Sequence, residues 1–318
     1  MRVFWRELSA ATLLSFLLAP GIGAADPAVA ELLSAGRMNE AIRVLTQRDD
    51  PESLHLLSRA YYAIEDWDEA VRNGERAVAL RPENAGYHLW LARQYGQKAA
   101  TSNPLRAAGI ARKAKTEFER AVMLDPANVQ GHADLAEYYI EAPAIMGGGL
   151  EKARDQAVQV RQYDPAMSHW ILGRVAEREK RWDDAEREYR SGTKVAKDPA
   201  EYWLHVASLY RERGRLDEMQ QLVRMAVAQP NKGAETYYNA ATILYEGGRD
   251  FPAAVQYLKQ YLASGQMAED ALAFRAHYLL GQLYEGMGNR PAAIEQYQAA
   301  LGLASGFSPA RAALSRVQ

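Results

Sequence analysis

One short phrase recurs along this chain, and the repetition constrains its fold more than any other feature. The phrase is a histidine followed three residues later by leucine and then by alanine or glycine, and it starts at His88, His132, His169 and His277. A second, acidic phrase follows at a distance, beginning at Trp67, Trp182 and Asp217. Repetition with a period of about 34 residues predicts stacked supersecondary units rather than one globular core.

Each unit reads as two amphipathic helices. Leu54, Leu57 and Tyr61 lie at helical spacing and form one apolar stripe, which indicates the first helix of a pair. The second helix is expected to begin near Asp68, whose carboxylate can accept hydrogen bonds from the free N–H groups of the first turn. Pro82 then ends that helix and opens the next unit.

Residues that end helices and separate the units recur through the sequence. Glycines that can adopt the left-handed conformation stand between paired helices, at Gly36, Gly214 and Gly248. Prolines separate the units, after Asp125, Asp164, Asp198 and Gln229. Small residues stand where two helices must approach closely, at Ala70, Ala114, Ala153, Ala185, Ala254 and Ala293.

These residues resemble the tetratricopeptide repeat family. The family pattern has leucine, then glycine or alanine, then tyrosine in the first helix, and spaced alanines with an aromatic residue in the second. It is matched best from Leu57 to Pro82, from Leu172 to Tyr189 and from Leu280 to Ala300, and Trp203 opens another good first helix. The resemblance implies an all-α, right-handed α-solenoid of about eight tetratricopeptide-like helix pairs over residues 26–318, with a C-terminal capping helix.

The ends of the array depart from the pattern. A truncated first unit, with a short helix over residues 26–35, is expected to act as a cap, and residues 307–317 are expected to form the closing helix. Gly74 stands where the family prefers an aromatic residue, which predicts looser packing in that unit.

The first 25 residues have the order of a secretory signal peptide. Arg2 and Arg6 precede an apolar run from Leu8 to Leu18, and small residues lead up to Ala25. We expect cleavage after Ala25 and a periplasmic mature protein; an uncleaved N-terminal anchor is the alternative. The chain has no cysteine, which rules out a lipid-anchored lipoprotein and disulfide bonds.

Catalytic and cofactor motifs are missing from the sequence. It holds no G-x-S-x-G, H-E-x-x-H or G-x-G-x-x-G phrase, and its repeated histidines stand a whole repeat apart, too far to share a metal ion. With a formal charge of −2, the chain as a whole is not attracted electrostatically to nucleic acid or to an anionic membrane. We therefore expect no enzyme activity, no cofactor, no metal and no nucleic-acid partner.

The surface lined by the first helices is the expected partner-binding groove. Helical phase selects His55, Arg59, Tyr62, Arg93, Trp170, Arg174, Arg211, Tyr238, Tyr245 and Tyr278. Tyrosine, tryptophan and arginine dominate binding hot spots. Arg59, Arg93 and Arg174 share one repeat position, where they could grip an acidic side chain or a chain terminus. The alternative is that they pair with acidic neighbours such as Glu137 or Glu177.

Two neighbouring units are longer than the rest. Extra residues are expected to form loops, over residues 98–110 in one unit and 141–149 in the next. Gly147, Gly148 and Gly149 precede a helix and could cradle a phosphate, although a flexible long turn is the favoured interpretation. Ile145 and Met146 could dock a partner or fold back on the helices, and folding back is favoured.

The sequence thus predicts a non-catalytic periplasmic scaffold that binds protein segments, some of them acidic, in its concave groove. By analogy with similar exported repeat proteins, envelope assembly or export are candidate processes. The alternative is a polysaccharide- or small-ligand-binding module of the cell envelope, because groove aromatics can also stack on sugars.

Overall fold

The structure is a computed structural model that describes residues 26–318 and is all-helical there. It contains seventeen α-helices and one short 3-10 turn, with no strand among the described residues. The expected signal peptide, residues 1–25, lies outside the described part. Within that part, no helix combines the length and apolarity needed to cross a membrane.

The helices follow one another through short turns. In chain order they are α1 (Pro27–Ser34), α2 (Met38–Leu45), α3 (Pro51–Ala63), α4 (Trp67–Leu80), α5 (Ala85–Thr101), α6 (Pro104–Leu124), α7 (Val129–Glu141), α8 (Leu150–Val160), α9 (Pro165–Arg178), α10 (Trp182–Val195), α11 (Pro199–Glu212), α12 (Leu216–Val227), α13 (Glu235–Glu246), α14 (Phe251–Ser264), α15 (Ala273–Gly286), α16 (Arg290–Leu303) and α17 (Ser308–Val317). These are eight helix pairs and one closing helix, as the sequence predicts. The 3-10 turn (Ala144–Met146) lies between α7 and α8.

Capping side chains set where the helices begin. Asp164 accepts a hydrogen bond from the Met167 N–H at 3.0 Å, and proline follows it at the first helical position of α9. The expectation that Asp68 caps α4 is wrong by two residues. Asp66 is the cap and accepts from the Glu69 N–H, because α4 begins at Trp67.

Left-handed glycines close the turns between paired helices. Gly36, Gly214 and Gly248 have φ angles of 70°, 70° and 62°, as their sequence positions predict. A residue with a Cβ would be strained in this conformation, so glycine ends the first helix of a pair at little cost.

The described helices divide into two compact units. Unit 1 comprises Asp26 and residues 42–188; unit 2 comprises residues 27–41 and 189–318. In unit 1, α3 packs on α4, α5 on α6 and α7 on α8, and each second helix also contacts the next pair. All six alanines predicted at close helix approaches, in one unit or the other, are fully buried: Ala70, Ala114, Ala153, Ala185, Ala254 and Ala293.

Unit 2 repeats the same packing and ends in a closing helix. The pairs α11–α12, α13–α14 and α15–α16 pack in sequence, and α17 packs on α16. Val317 of α17 lies in one apolar cluster with Ala293 and Tyr297 of α16. The predicted closing helix is therefore present and covers the last apolar face.

The N-terminal residues of unit 2 contact its C-terminal helices. The Asn39 side chain donates to the Gly302 carbonyl at 2.9 Å and accepts from the Ser305 backbone N–H at 2.8 Å. The turn at Gly36 lies against the first residue of α15, Ala273. The expected short first helix exists as α1, but these contacts join its segment to α15 and the end of α16.

The expected loop over residues 98–110 is wrong. Residues up to Thr101 continue α5, and α6 begins at Pro104, so only Ser102 and Asn103 connect the two helices. The extra residues are mostly alanine, lysine and arginine, which are strong helix formers and lengthen both helices instead of forming a loop.

The expectation of loose packing at Gly74 is also wrong. The side chain of Gln94, which is fully buried, fills the space that an aromatic residue would take in this repeat. Gln94 donates to the Ser58 hydroxyl at 2.8 Å, and Leu91 packs beside it. A buried polar side chain thus replaces the aromatic packing of the family pattern.

Candidate partner-binding surface

The first helices of successive pairs contact one another and carry the predicted groove residues. In unit 1, α3 contacts α5 and α7 contacts α9; in unit 2, α11 contacts α13 and α13 contacts α15. Six predicted residues lie in unit 1: His55, Arg59, Tyr62, Arg93, Trp170 and Arg174. Four lie in unit 2: Arg211, Tyr238, Tyr245 and Tyr278.

Four of the predicted residues meet around a tryptophan that the prediction omitted. The guanidinium carbons of Arg59 and Arg93 lie 4.9 and 4.8 Å from the Trp90 ring centroid. The rings of Tyr62 and His55 approach Trp90 edge-on, at 5.5 and 6.4 Å. We call these five residues the Trp90 cluster. Two cations on one aromatic ring, with Tyr62 beside them, form a half-buried surface of hot-spot residue types. His55 is buried, so the prediction that it faces a partner is wrong.

Like charges and burial shape the electrostatics of the Trp90 cluster. Burial, reinforced by the nearby positive charge of Arg93 and partly offset by Glu52, lowers the pKa of Arg59 to about 10. Burial also holds the pKa of His55 well below its ordinary value, and the charge of Arg59 adds to that effect. At neutral pH both arginines are cationic and His55 is neutral, so an anion brought here would relieve the repulsion between the guanidiniums.

Arg93 is anchored by an acid on the next first helix. Its Nε donates to an Asp134 carboxylate oxygen at 2.5 Å, and Gln130 donates to the other oxygen at 2.6 Å. Asp134 is 7% exposed, so this is a largely desolvated ion pair. The pair fixes the guanidinium of Arg93 in place over Trp90.

Arg174 is surrounded by carboxylates rather than open to a ligand. It donates to Glu137 at 2.7 Å, to Glu177 at 2.6 Å and to Glu141 at 3.5 Å. Glu137 occupies on α7 the repeat position that Arg59, Arg93 and Arg174 occupy on their helices. The row of arginines is therefore interrupted by an acid, and Arg174 makes the acidic pairs that the sequence left open as an alternative.

The remaining predicted residues pack within their own units. Trp170 is 4% exposed and offers little surface to a partner. Arg211 pairs with Glu246. The Tyr238 ring packs at a tilt against Tyr261 of α14 with ring centroids 5.6 Å apart, and burial raises the pKa of Tyr238 to about 12.

Two further tyrosines of unit 2 also face second-helix or closing residues. The Tyr245 ring lies 6.1 Å from that of Phe251, and the Tyr278 ring lies 5.3 Å from that of Phe307 and 5.9 Å from that of Tyr297. The structure therefore does not gather the unit 2 tyrosines into one cluster. Each contributes to the packing of its own repeat.

The three glycines of the loop donate their N–H groups to backbone carbonyls of the protein itself. The N–H groups of Gly147, Gly148 and Gly149 donate to the carbonyls of Ala144, Pro143 and Tyr139, at 2.9, 3.2 and 2.8 Å. A Cβ at position 148 would collide with the backbone of Ala142, so the turn is tight rather than loose. The three glycine N–H groups are therefore not available as phosphate donors in this conformation.

The two apolar residues of this loop behave differently. Met146 is half-buried, and its carbonyl accepts a hydrogen bond from the Tyr138 hydroxyl at 2.8 Å. Ile145 is 82% exposed. The expectation that both fold back on the helices is therefore wrong for Ile145, because the hydrogen bonds that order the loop point its side chain outward.

The four repeated histidines connect the two helices of a pair. Each Nδ1 lies within hydrogen-bond distance of a second-helix side chain: His88 with Glu117 at 2.5 Å, His132 with Gln156 at 2.7 Å, His169 with Glu188 at 2.8 Å and His277 with Gln296 at 2.8 Å. This confirms that the position faces a neighbouring helix. In residues 26–318 no group of three histidine or acidic side chains is arranged to hold a metal ion.

Sequence reasoning missed Trp90 and Asp134, whereas Glu137 is one of the two acidic neighbours it named for the arginines. Trp90 stands three residues before Arg93 on α5, so helical spacing alone places the two side chains on one face. Asp134 and Glu137 are likewise three residues apart on α7 and both face first helices. That spacing was available in the sequence; the identity of the partner arginines was not.

Family models identify the repeats independently of the geometry. A tetratricopeptide repeat model matches residues 172–234 and 238–314, and a second tetratricopeptide repeat model matches residues 53–85. Together the matches cover more than half of the chain. This family's helix pairs typically form non-catalytic scaffolds for protein–protein interaction, with protein partners.

The individual proteins that resemble this chain share low sequence identity with it. The chain is 30% identical over 119 residues to the inactive TPR repeat-containing thioredoxin TTL3 of Arabidopsis thaliana, which is 37% of this chain but only 15% of the plant protein. Among solved structures it is similar to the TPR protein TTC0263 of Thermus thermophilus, with 20% identity, a TM-score of 0.46, and coverage of 61% of this chain and 96% of that one. A tetratricopeptide repeat protein from Parabacteroides merdae gives 16% identity, a TM-score of 0.43, and coverage of 84% and 98%.

Proposed function

We propose, from the premise that the chain belongs to the tetratricopeptide repeat family, that it is an exported, periplasmic scaffold that binds a protein segment at the Trp90 cluster. The export part rests on the basic and apolar order of residues 1–25. The binding part rests on the residues that α3 and α5 bring together. Envelope assembly or export is the process in which we place such a scaffold, by analogy alone.

One observation carries the binding proposal. Arg59, Arg93, Tyr62 and Trp90 converge from two first helices, and the two guanidiniums repel each other across one ring. Such a site favours a segment that brings a carboxylate to the guanidiniums and a flat apolar side chain to the rings. Arg93 is held by Asp134, so the site is formed before a partner arrives, which lowers the entropic cost of binding.

The sugar-binding alternative has less support from this geometry. A sugar ring stacks on an open aromatic face, and the Trp90 ring already has two guanidiniums within 5 Å of its centroid. In unit 2, Tyr238 and Tyr278 are engaged with Tyr261 and Tyr297. Glycan-array binding without any protein partner would restore this alternative.

Site-specific photo-crosslinking tests the binding site. A photoreactive phenylalanine analogue placed at Tyr62 should crosslink an envelope protein, and the same analogue at exposed Gln260 on α14 should not. Arg59→Ala should then reduce the yield at position 62, whereas Arg249→Ala, at an exposed arginine elsewhere, should leave it unchanged. Equal crosslinking from positions 62 and 260, or no effect of Arg59→Ala, would refute the assignment.

Localisation is tested separately. N-terminal sequencing of the protein recovered from an osmotic-shock fraction should begin at Asp26 if the segment ending at Ala25 is a cleaved signal peptide. Recovery of the uncleaved chain in the membrane fraction would favour the N-terminal anchor instead. Recovery in the cytoplasm would refute export without affecting the binding site.

A further inference from the structure

The α5–α6 hairpin is longer than its neighbours in unit 1. Helix α5 has 17 residues against 13 in α3, and α6 has 21 against 14 in α4. Aligned on the repeated leucine and alanine positions, the extra residues of both helices lie at the connecting turn, Ser102–Asn103. At 1.5 Å per residue, the tip extends roughly 6–10 Å farther than the matching turn of the α3–α4 pair.

This hairpin carries a local excess of positive charge that the net charge of the chain conceals. Residues 84–116 contain no aspartate or glutamate but six basic residues: Arg93, Lys98, Arg106, Arg112, Lys113 and Lys115. The whole chain, by contrast, has 38 basic and 40 acidic residues. The positive electrostatic potential is therefore concentrated on this one helical hairpin.

Acids on α4, and one on α6 itself, neutralise the lysines. Lys98 pairs with Asp68 at 2.8 Å, Lys113 with Glu75 at 3.5 Å, and Lys115 with Glu119 at 3.3 Å. The first two pairs border a cavity of about 390 Å³ between α4 and the hairpin.

Arg106 and Arg112 are not neutralised in this way. The exposed side chains of Arg106 and Arg112 form no ion pair with any residue in the described range 26–318. Glu151, which follows the neighbouring glycine-rich loop, is engaged by Arg154. Within residues 84–116 the uncompensated charge is therefore at these two guanidiniums.

Exposed apolar side chains accompany the arginines. Leu105, in the first turn of α6, is 93% exposed, and Ile145 is 82% exposed on the adjacent loop. Leu105, Gly109 and Arg112 lie on one face of α6 by helical spacing. The loop that carries Ile145 contacts α6 and places Gly147 against Lys115.

We infer that this tip docks on an anionic phospholipid surface, with Leu105 and Ile145 entering the interface and Arg106 and Arg112 contacting lipid phosphates. Charge complementarity selects an anionic occupant, and the shape selects a planar one. A Cβ at Gly109 would meet no atom within 4 Å, so the face of α6 that carries Leu105 and Arg112 is open at this position. This site is separate from the Trp90 cluster.

Vesicle co-sedimentation tests the charge requirement. Full-length protein should bind vesicles made of equal parts phosphatidylglycerol and phosphatidylethanolamine, and should not bind purely zwitterionic vesicles. Arg106→Gln with Arg112→Gln should weaken binding by roughly tenfold or more. The matched control, Arg43→Gln with Arg249→Gln, removes the same charge from exposed sites elsewhere and should bind as the parent does. No binding to anionic vesicles, or equal weakening in the control, would overturn the inference.

An environment-sensitive fluorophore tests whether the tip enters the interface. The chain has no cysteine, so Leu105→Cys gives a single labelling site, and Gln260→Cys on α14 gives its control. Emission from position 105 should shift to the blue on anionic vesicles, and emission from position 260 should not. A shift at neither position despite binding, or at both, would overturn the assigned orientation. Circular dichroism of each variant confirms that it remains folded.

Discussion

The two units use the same helix pairs but join their first helices differently. In unit 1 the first helices meet through desolvated charges, Arg93 with Asp134 and Arg174 with Glu137. In unit 2 the corresponding surface is rich in tyrosines such as Tyr238 and Tyr278, which pack on second helices. A repeat scaffold thus fixes the backbone and leaves the surface between first helices free to vary. The most buried ion pairs between first helices are in unit 1, whereas the tyrosines of this surface in unit 2 contribute to packing.

The largest expected loss of stability comes from breaking an ion pair in unit 1, and the matching substitution in unit 2 should cost much less. The side chains of Arg174 and Glu137 are 14% and 4% exposed, whereas those of Arg211 and Glu246 are 18% and 34% exposed. Glu137→Ala leaves a buried guanidinium with fewer partners and should cost about 3 kcal/mol of unfolding free energy. Glu246→Ala should cost less than about 1 kcal/mol, because water can solvate Arg211.

Urea denaturation combined with hydrogen exchange measures this difference. Exchange in α7 and α9 should accelerate in Glu137→Ala, while exchange in α11 and α13 should change little in Glu246→Ala. Equal losses in the two variants would mean that the contrast between charged and apolar units is wrong.

A second contrast between the units concerns helical glycines that have a neighbouring side chain packed against them. A Cβ at Gly281 of unit 2 would collide with the ring of Tyr297, which is fully buried and cannot move aside. A Cβ at Gly74 of unit 1 would collide with the flexible end of Gln94. We expect Gly281→Ala to destabilise the protein by about 2 kcal/mol. Gly74→Ala should be closer to neutral, since alanine in place of helical glycine gains up to about 1 kcal/mol.

Thermal denaturation of the two alanine variants provides the check. A larger loss in Gly74→Ala than in Gly281→Ala would show that the buried amide of Gln94, not the aromatic packing of unit 2, is the more rigid element.

The stability of unit 1 should also depend on pH, through two histidines whose contributions change in opposite directions. Burial holds the pKa of His55 well below the unfolded value, so its stabilising contribution is present above about pH 6.5 and is lost as the pH falls. Burial alone would lower the pKa of His88, but its hydrogen bonds to Glu117 and the Pro82 carbonyl outweigh burial and raise it. The contribution of His88 is therefore complete below about pH 6.5 and is lost as the pH rises through its folded pKa.

Denaturation curves at several pH values can distinguish these two contributions. His55→Gln should reduce the acid-induced loss of stability of unit 1 by about 1 kcal/mol per pH unit. His88→Gln should deepen that loss, because it removes a contribution that grows on acidification. Parallel pH profiles for the parent and both variants would contradict this account.

The smallest expected effect should be the same in both units. Gly109 of α6 and Gly302 of α16 are helical glycines whose Cβ would meet no atom within 4 Å. Replacing either with alanine should stabilise the protein by roughly 0.5–1 kcal/mol through helix propensity alone. Differential scanning calorimetry would reveal the gain, and a loss in one unit only would indicate contacts specific to that unit.

Local chemistry made most of the fold predictable. The Asp164–Pro165 and Asp198–Pro199 pairs start helices because a carboxylate caps the first turn and proline has no N–H to satisfy there. The loop prediction for residues 98–110 fails for the opposite reason: extra length in a repeat does not have to form a loop when its alanines and basic residues favour helix.

The candidate site was less predictable because its contacts are long-range. Helical phase correctly placed Arg59 and Arg93 on first helices, and the same rule applied to Trp90 would have completed the cluster. It could not reveal that Arg93 meets Asp134, 41 residues away, because that contact depends on how adjacent pairs stack. Nor could it show that Tyr238 faces Tyr261, since rotamers follow from packing.

Glu137, the acid within a row of arginines, has a consequence for assembly. Chains built of near-identical modules can misfold when one module pairs with the wrong neighbour. Here Arg174 of α9 gains Glu137 and Glu141 as partners only when α7 lies beside it; if α5 took that place, Arg93 would face Arg174, and Arg174 would keep only Glu177 of its own helix. A single inverted charge therefore favours one order of modules over its shuffled competitor.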